Sequence, residues 1–281
     1  MKAAEDEPLA GSDDTRSFYD REGWTEQDGV LTDRILFGAT EDGPVRRAMH
    51  ERRMQRVVAQ LSRARPPLNL LECGCGGNPE PVLLPLCRKY TGIDFSETGI
   101  QVSRRVLNEQ SVPFELVVGD ICGLPFADAS FDAVYSAHAI YHIPGERAQA
   151  KAFGEAMRVL RRGGIAVFVL ANPRPLLFPV RLLRRLVAET PGLGALLNRI
   201  RPQPPLPYRP MSLNWTRRLL EPHGTVTIEL HSMGSGWFAR NVSERTPLGS
   251  IAWKTFEVAE HRFPRALVAL GNYVQIVVEK R

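Results

Sequence analysis

A chain of 281 residues, 43% hydrophobic and 24% charged, has room for one large α/β domain or for a domain carrying sizeable insertions. Its net charge of +5 is mildly basic and by itself selects no partner. No run of about 18 apolar residues occurs, which excludes a membrane-spanning helix. The opening Met-Lys-Ala-Ala-Glu-Asp-Glu-Pro lacks the apolar core of a signal peptide, so a cytoplasmic protein is expected.

Residues 1–15 are acidic and, past the initial Met1, hold only Leu9 as a large apolar side chain, the composition of a disordered tail. Residues 16–66 follow as an arm and a helix. Phe18, Tyr19, Trp24, Ile35, Leu36 and Phe37 give the arm something to pack, and residues 45–63 repeat apolar positions at helical spacing until Pro66-Pro67. Over 67–171 short apolar runs alternate with helical stretches. Strands are expected at Leu68–Cys73, Tyr90–Asp94, Phe114–Val118, Phe131–Ser136 and Ile165–Leu170, and helices at Glu80–Arg88, Glu97–Glu109 and Glu146–Arg161. Strands apolar on both faces and separated by helices imply a parallel sheet covered on both sides, wound by right-handed crossovers.

The pattern breaks at Asn172. Residues 172–225 form a Pro/Arg-rich insertion, with nine prolines before residue 211 and a short amphipathic helix expected at Leu176–Val187. Leu213–Leu220 reads as a helix, and Val226–Leu230 and Tyr273–Val278 as closing strands around a second insertion at 231–271. Cys73 and Cys75 lie too close for an ordinary disulfide. With Cys87 and Cys122 they give no metal-ligand spacing, so no metal is expected.

The chemistry gathers at strand ends. Leu70-Leu71-Glu72-Cys73-Gly74-Cys75-Gly76-Gly77-Asn78 ends a buried strand in an acid and continues into a loop whose small residues admit a ligand to the backbone. Asp94 closes the second strand, 22 residues after Glu72, where a carboxylate can accept both hydroxyls of a ribose. Asp120 follows the third, within reach of an adenine amino group. All three acids fall on the sheet edge where open α/β sheets bind ligands. No Lys or Arg follows the glycine loop to read a phosphate.

Four segments, LLECGCGG (70–77), YTGIDFS (90–96), VVGDICGLPFADASFDAVYSAHAIYHI (117–143) and EAMRVLRRGGIAVF (155–168), resemble in order and spacing the class I S-adenosylmethionine-dependent methyltransferases. The resemblance covers roughly residues 45–171. It implies a Rossmann-like, doubly wound, seven-stranded and mostly parallel sheet with helical lid insertions, and S-adenosylmethionine as cofactor. It further implies that Glu72, Gly74 and Gly76 shape the methionine pocket, that Asp94 with Phe95 holds the ribose, and that Asp120 and Ile121 hold adenine, with Ala137 also at the cofactor. Asn78 stands where many members have a third glycine, and Gly77 beside it is a candidate replacement.

His142 matches a histidine that faces the acceptor in many small-molecule members. It is either a general base for a hydroxyl acceptor or a cap for the turn at Pro144-Gly145. His138, nearer the cofactor, is the second catalytic candidate, and Tyr19, Trp24 and Tyr141 are possible lid or pocket residues. Apolar and aromatic insertions favour a small-molecule acceptor, with O-methylation of a secondary metabolite or sugar hydroxyl expected by analogy. RNA, or a membrane lipid reached through peripheral contact, ranks lower. Both would dock on the arginines of the first insertion. A non-catalytic, cofactor-binding scaffold is the alternative of another class.

Overall fold

The doubly apolar runs of the sequence become the middle of one sheet. A computed structural model describes residues 12–27, 30–32, 43–176, 208–239, 243 and 247–281. The strands of that sheet are β1 (Leu68–Cys73), β2 (Cys87–Asp94), β3 (Phe114–Val118), β4 (Phe131–Ala137), β5 (Leu160–Ala171), β6 (Gly224–Ser232) and β7 (Tyr273–Lys280), and a separate short pair joins Glu26–Gln27 to Val30–Leu31. They lie in the order β3-β2-β1-β4-β5-β7-β6. β1 to β5 pair in parallel, and β7 runs antiparallel to both its neighbours. The strand order reverses between β1 and β4, so the carboxyl ends of β1, β2 and β4 open on one crevice.

The main helices are α1 (Ser12–Phe18), α2 (Pro44–Leu61), α3 (Glu97–Asn108), α4 (Glu146–Val159), α5 (Leu213–Leu220) and α6 (Pro247–Arg262); α2 and α3 cover one face and α4 and α5 the other, while α6 packs on α2. Successive strand residues point to opposite faces, and the core divides accordingly. Leu70, Ala133, Val167 and Val277 join Met54, Val57 and Leu61 of α2 and Leu107 of α3. Leu71, Val134, Phe168 and Ile276 join Phe153, Ala156 and Met157 of α4 and Leu220 of α5. α2 begins on Pro44, whose fixed φ suits a first helical turn. α3 is capped by the Ser96 hydroxyl, which accepts from Gly99 N at 3.0 Å.

Several expectations are corrected. Residues 80–88 form no α-helix: Pro81–Leu86 is a 3₁₀ segment, and β2 begins already at Cys87. Pro85 lies inside that segment and can donate no helical hydrogen bond. The tail expected over 1–15 gives way to α1 at Ser12, because Thr15 and Phe18 are buried against the body. α4 stops at Val159, and β5 starts at Leu160 rather than Ile165, turning through Gly163 at φ +72°. The second insertion contains α6, which no sequence expectation covered, anchored by buried Trp253. The helix expected at Leu176–Val187 lies, after Leu176, outside the described residues. Among the described residues no helix is long and apolar enough to cross a membrane.

Candidate active site

Beyond β1 the chain needs two backbone conformations that L side chains avoid, and glycine supplies both: Gly74 at φ +76° and Gly76 at φ +52°. Gly74 N and Cys75 N both donate to Ile93 O, at 2.8 and 3.2 Å, which ties the loop to β2. A Cβ on Gly74 would lie 2.4 Å from that of Ala139, so the loop also presses on the segment after β4. Asp94 accepts from Gly76 N and from Ser96 N, both at 2.9 Å. Asp120 accepts from Cys122 N at 2.8 Å.

A cavity of about 390 Å³ opens at this edge, within the range of small-molecule sites. Glu72, Gly74, Gly76, Asp94, Phe95, Asp120, Ile121 and Ala137 line it, as do His138 and His142. The structure therefore brings all ten predicted site residues to one surface.

The acids there are unusual. Glu72 is 4% exposed and takes the Tyr90 hydroxyl hydrogen bond at 2.8 Å, yet burial, then the charge of Glu80, pushes its pKa up to about 8. Asp94 is raised to about 6 by burial, against the lowering pull of the Ser96 and Gly76 N–H groups. Carboxyls held this way favour a ligand that brings positive charge and hydroxyl or amino donors. Phe95 and Ile121 add apolar surface for a flat base. This donor set fits S-adenosylmethionine, with acids for its cationic and ribose groups.

The arm closes part of the cavity. Tyr19 stacks on Trp24 with ring centroids 5.1 Å apart and meets Phe95 edge-on at 6.2 Å. The Ser96 hydroxyl donates to Asp20 Oδ1 at 2.6 Å, and the Thr98 hydroxyl to Asp20 O at 3.1 Å. Tyr19 and Trp24 were expected in a lid or pocket role. Asp20 was missed, and nothing in its sequence context marks it.

Past β4 the walls become aromatic. His138 holds a left-handed backbone, φ +59°, a strained state that recurs at functional sites. Its Nδ1 is 2.8 Å from the Tyr141 hydroxyl, and its ring meets that of Tyr273 edge-on at 4.7 Å. Burial, then the charge of Arg53, lowers its pKa to about 3, so the imidazole is neutral at physiological pH. The His142 ring lies 4.6 Å from that of Tyr141, which Tyr208 of the first insertion meets at 5.4 Å. Sequence reasoning missed Arg53, Tyr273 and Gly236, which also line the cavity. It anticipated acids, small residues and aromatics there, and no arginine.

Residues 71–168 match the family described as "Methyltransferase domain". The 24-methylenesterol C-methyltransferase 2 of Oryza sativa subsp. japonica is 37% identical over 125 residues, covering 42% of this chain and 32% of that one. The 2-methyl-6-phytyl-1,4-hydroquinone methyltransferase of Synechocystis sp. is 33% identical over 175 residues, covering 58% and 52%. The chain thus spans between about a third and a half of the length of these curated relatives. Among solved structures, the N-methyltransferase NodS of Bradyrhizobium japonicum, in complex with S-adenosyl-L-homocysteine, superposes with a TM-score of 0.57 over 95% of this chain and 98% of its own, at 18% identity. With the motifs in order, the strand order 3-2-1-4-5-7-6 and the acids gathered at the strand ends, residues 71–168 are a methyltransferase domain, set in the fold that the S-adenosylhomocysteine-bound neighbour shares.

Proposed function

We propose that the protein transfers a methyl group from S-adenosylmethionine to a small, largely apolar and unsaturated acceptor. The observation that carries the reading is one continuous cavity, acidic at the glycine loop and walled by His138, Tyr141, His142 and Tyr273 beyond β4. When bound, S-adenosylmethionine supplies an electrophilic methyl group on a positively charged sulfur. Glu72, Asp94 and Asp120 hold the cofactor through its amino, ribose and adenine groups, and Gly74 and Gly76 let the backbone approach it. The aromatic walls orient the acceptor and exclude water, and such positioning supplies much of the acceleration.

The finer reading is O-methylation. A hydroxyl acceptor must lose its proton as the oxygen attacks, and His142, on the cavity wall, takes it. The sterol and hydroquinone methyltransferases among the relatives support an apolar acceptor. The printed name of the rice relative, a C-methyltransferase, favours a second reading in which an electron-rich carbon is methylated and His142 removes a proton afterwards. The described parts of the two insertions border the acceptor space in either case. Tyr208 against Tyr141 and Gly236 in the cavity wall support that role.

The test is incubation of the purified protein with methyl-labelled S-adenosylmethionine and a cell extract split into small molecules, lipids, RNA and protein. Label is expected in an organic-extractable small molecule. Label confined to RNA or protein would overturn the reading.

A further inference from the structure

Arg53 brings a permanent positive charge into a cavity whose ligand is itself a cation. It projects from α2, and its Nη2 donates to Ser232 Oγ at 3.1 Å and to Gly234 O at 2.9 Å. Its Cζ stands 5.3 Å from the centre of the Tyr273 ring. These contacts fix the guanidinium without neutralising it. Among the described residues no carboxylate is ion-paired with Arg53. Glu260, whose charge reaches it, is taken by Arg56 at 3.0 Å and by Met233 N at 2.7 Å. Nε is buried with no hydrogen-bond partner, and Nη1 has none among the described residues.

The two imidazoles nearby supply no compensating charge. His138 and His231 are both held neutral, by burial first and by the charge of Arg53 second. A guanidinium keeps its proton even where burial lowers its pKa. A cation out of bulk water without a counter-ion costs several kcal/mol, and the sulfonium of the cofactor would place a second positive charge in the same cavity. The strand-end acids answer the cofactor. Among the described residues Arg53 has no ion-paired carboxylate, and the charge of Glu260 reaches it only from that group's own pair with Arg56.

Resting on the methyltransferase reading above, we propose that Arg53 recognises an anionic oxygen on the acceptor, a carboxylate or an ionised phenol, so that the acceptors are planar unsaturated acids rather than neutral molecules. Tyr273, His138 and Tyr141 hold the flat part of the acceptor, and Nη1 donates to the anionic oxygen. With an acidic phenol the same contact keeps the nucleophile ionised and lightens the demand on a protein base. With a carboxylate it fixes the acceptor's orientation.

The experiment is calorimetric binding to the full chain saturated with S-adenosylhomocysteine, using two matched pairs: cinnamate with methyl cinnamate, and 4-nitrophenol with 4-nitroanisole at pH 8. The parent is expected to bind the anion of at least one pair about tenfold tighter than its neutral partner, a ratio worth about 1.4 kcal/mol. The pair that shows it identifies the oxygen as carboxylate or phenolate. Arg53→Met should level that preference while leaving the affinity for S-adenosylhomocysteine and for the neutral partner within about twofold, a difference of about 0.4 kcal/mol. Arg53→Gln, neutral but still a donor toward Ser232, replaces it if the methionine variant fails to fold. Equal binding within both pairs, no binding by any of the four, or a preference that survives loss of the charge overturns the proposal. Failure of the parent to bind S-adenosylhomocysteine would instead count against the methyltransferase reading itself.

Discussion

The indole of Trp24 stands where a side chain on Gly76 would be: a Cβ there would lie 2.3 Å from Trp24 Cζ2. The same ring is 2.7 Å from the corresponding positions on Gly77 and on Gly99, so arm, glycine loop and the start of α3 are fitted to one another. Trp24→Ala should therefore cost about 3 kcal/mol of stability, as large aromatic truncations do, and weaken cofactor binding as well. Gly76→Ala should do both more severely, since φ +52° is also strained for alanine. Thermal melting and S-adenosylhomocysteine titration read the two effects. Parent-like values for Trp24→Ala would mean that the arm merely rests on the site.

Asp94 accepts from two backbone N–H groups at once, and an amide in its place can turn only one oxygen toward them. Asp94→Asn is expected to lower cofactor affinity by about 100-fold, the loss of one or two hydrogen bonds to a charged acceptor. Asp120→Asn should weaken binding too. If both variants bind as tightly as the parent, the assignment of these acids to the cofactor is wrong.

The raised pKa of Glu72 has a definite sign. Below pH 4.5 the carboxyl is protonated whether the chain is folded or not. As pH rises from there through about 8, the unfolded chain releases a proton that the folded one retains, and stability falls. Glu72→Gln removes that penalty, so its melting temperature should gain on the parent between pH 5 and 8. Cofactor binding near pH 7 should draw the proton off, seen as a buffer-dependent enthalpy in calorimetry that is absent from Glu72→Gln. A pH-independent difference in melting would refute this account.

His142→Ala separates the two chemistries. A hydroxyl acceptor that loses its proton to this imidazole should lose about 10²–10⁴ in kcat, with KM little changed. Methylation at a carbon that needs no such help before attack leaves kcat nearly intact. Tyr141→Phe, which removes the 2.8 Å partner of His138, is expected to alter kcat less than His142→Ala under the O-methylation reading.

What was legible in the sequence follows from how strongly each residue is constrained locally. Leu70-Leu71 and Val167-Phe168 had to be doubly buried strand residues, and Glu72, Asp94 and Asp120 reach the cavity because a strand end admits few directions for the acid that follows it. Residues 80–88 were misread because the apolar run Val82-Leu83-Leu84 suits a helix until Pro81 and Pro85 are weighed. Arg53 was invisible for another reason. α2 carries Arg46, Arg47, Arg52, Arg53 and Arg56, and only the rotational phase of the helix decides which of them meets the cavity. Tyr273 and Gly236 come from segments far along the chain, and no local pattern announces that they return to the β4 edge.

The antiparallel β7 between β5 and β6 carries a cost in time during synthesis. β5 finds its second hydrogen-bonding partner about a hundred residues further along the chain. At roughly 5–20 residues per second, ribosomes need some seconds to deliver it. Throughout that interval Ile165-Ala166-Val167-Phe168-Val169-Leu170 presents an apolar edge with an unsatisfied row of N–H and C=O groups, the template on which nascent chains stick to one another. Lys280 then docks on Met157 O and Leu160 O, both at 2.6 Å, and closes that window. A variant that slows translation between residues 172 and 272, or truncates β7, would therefore be lost first to aggregation on the ribosome, before any defect in methyl transfer could be seen.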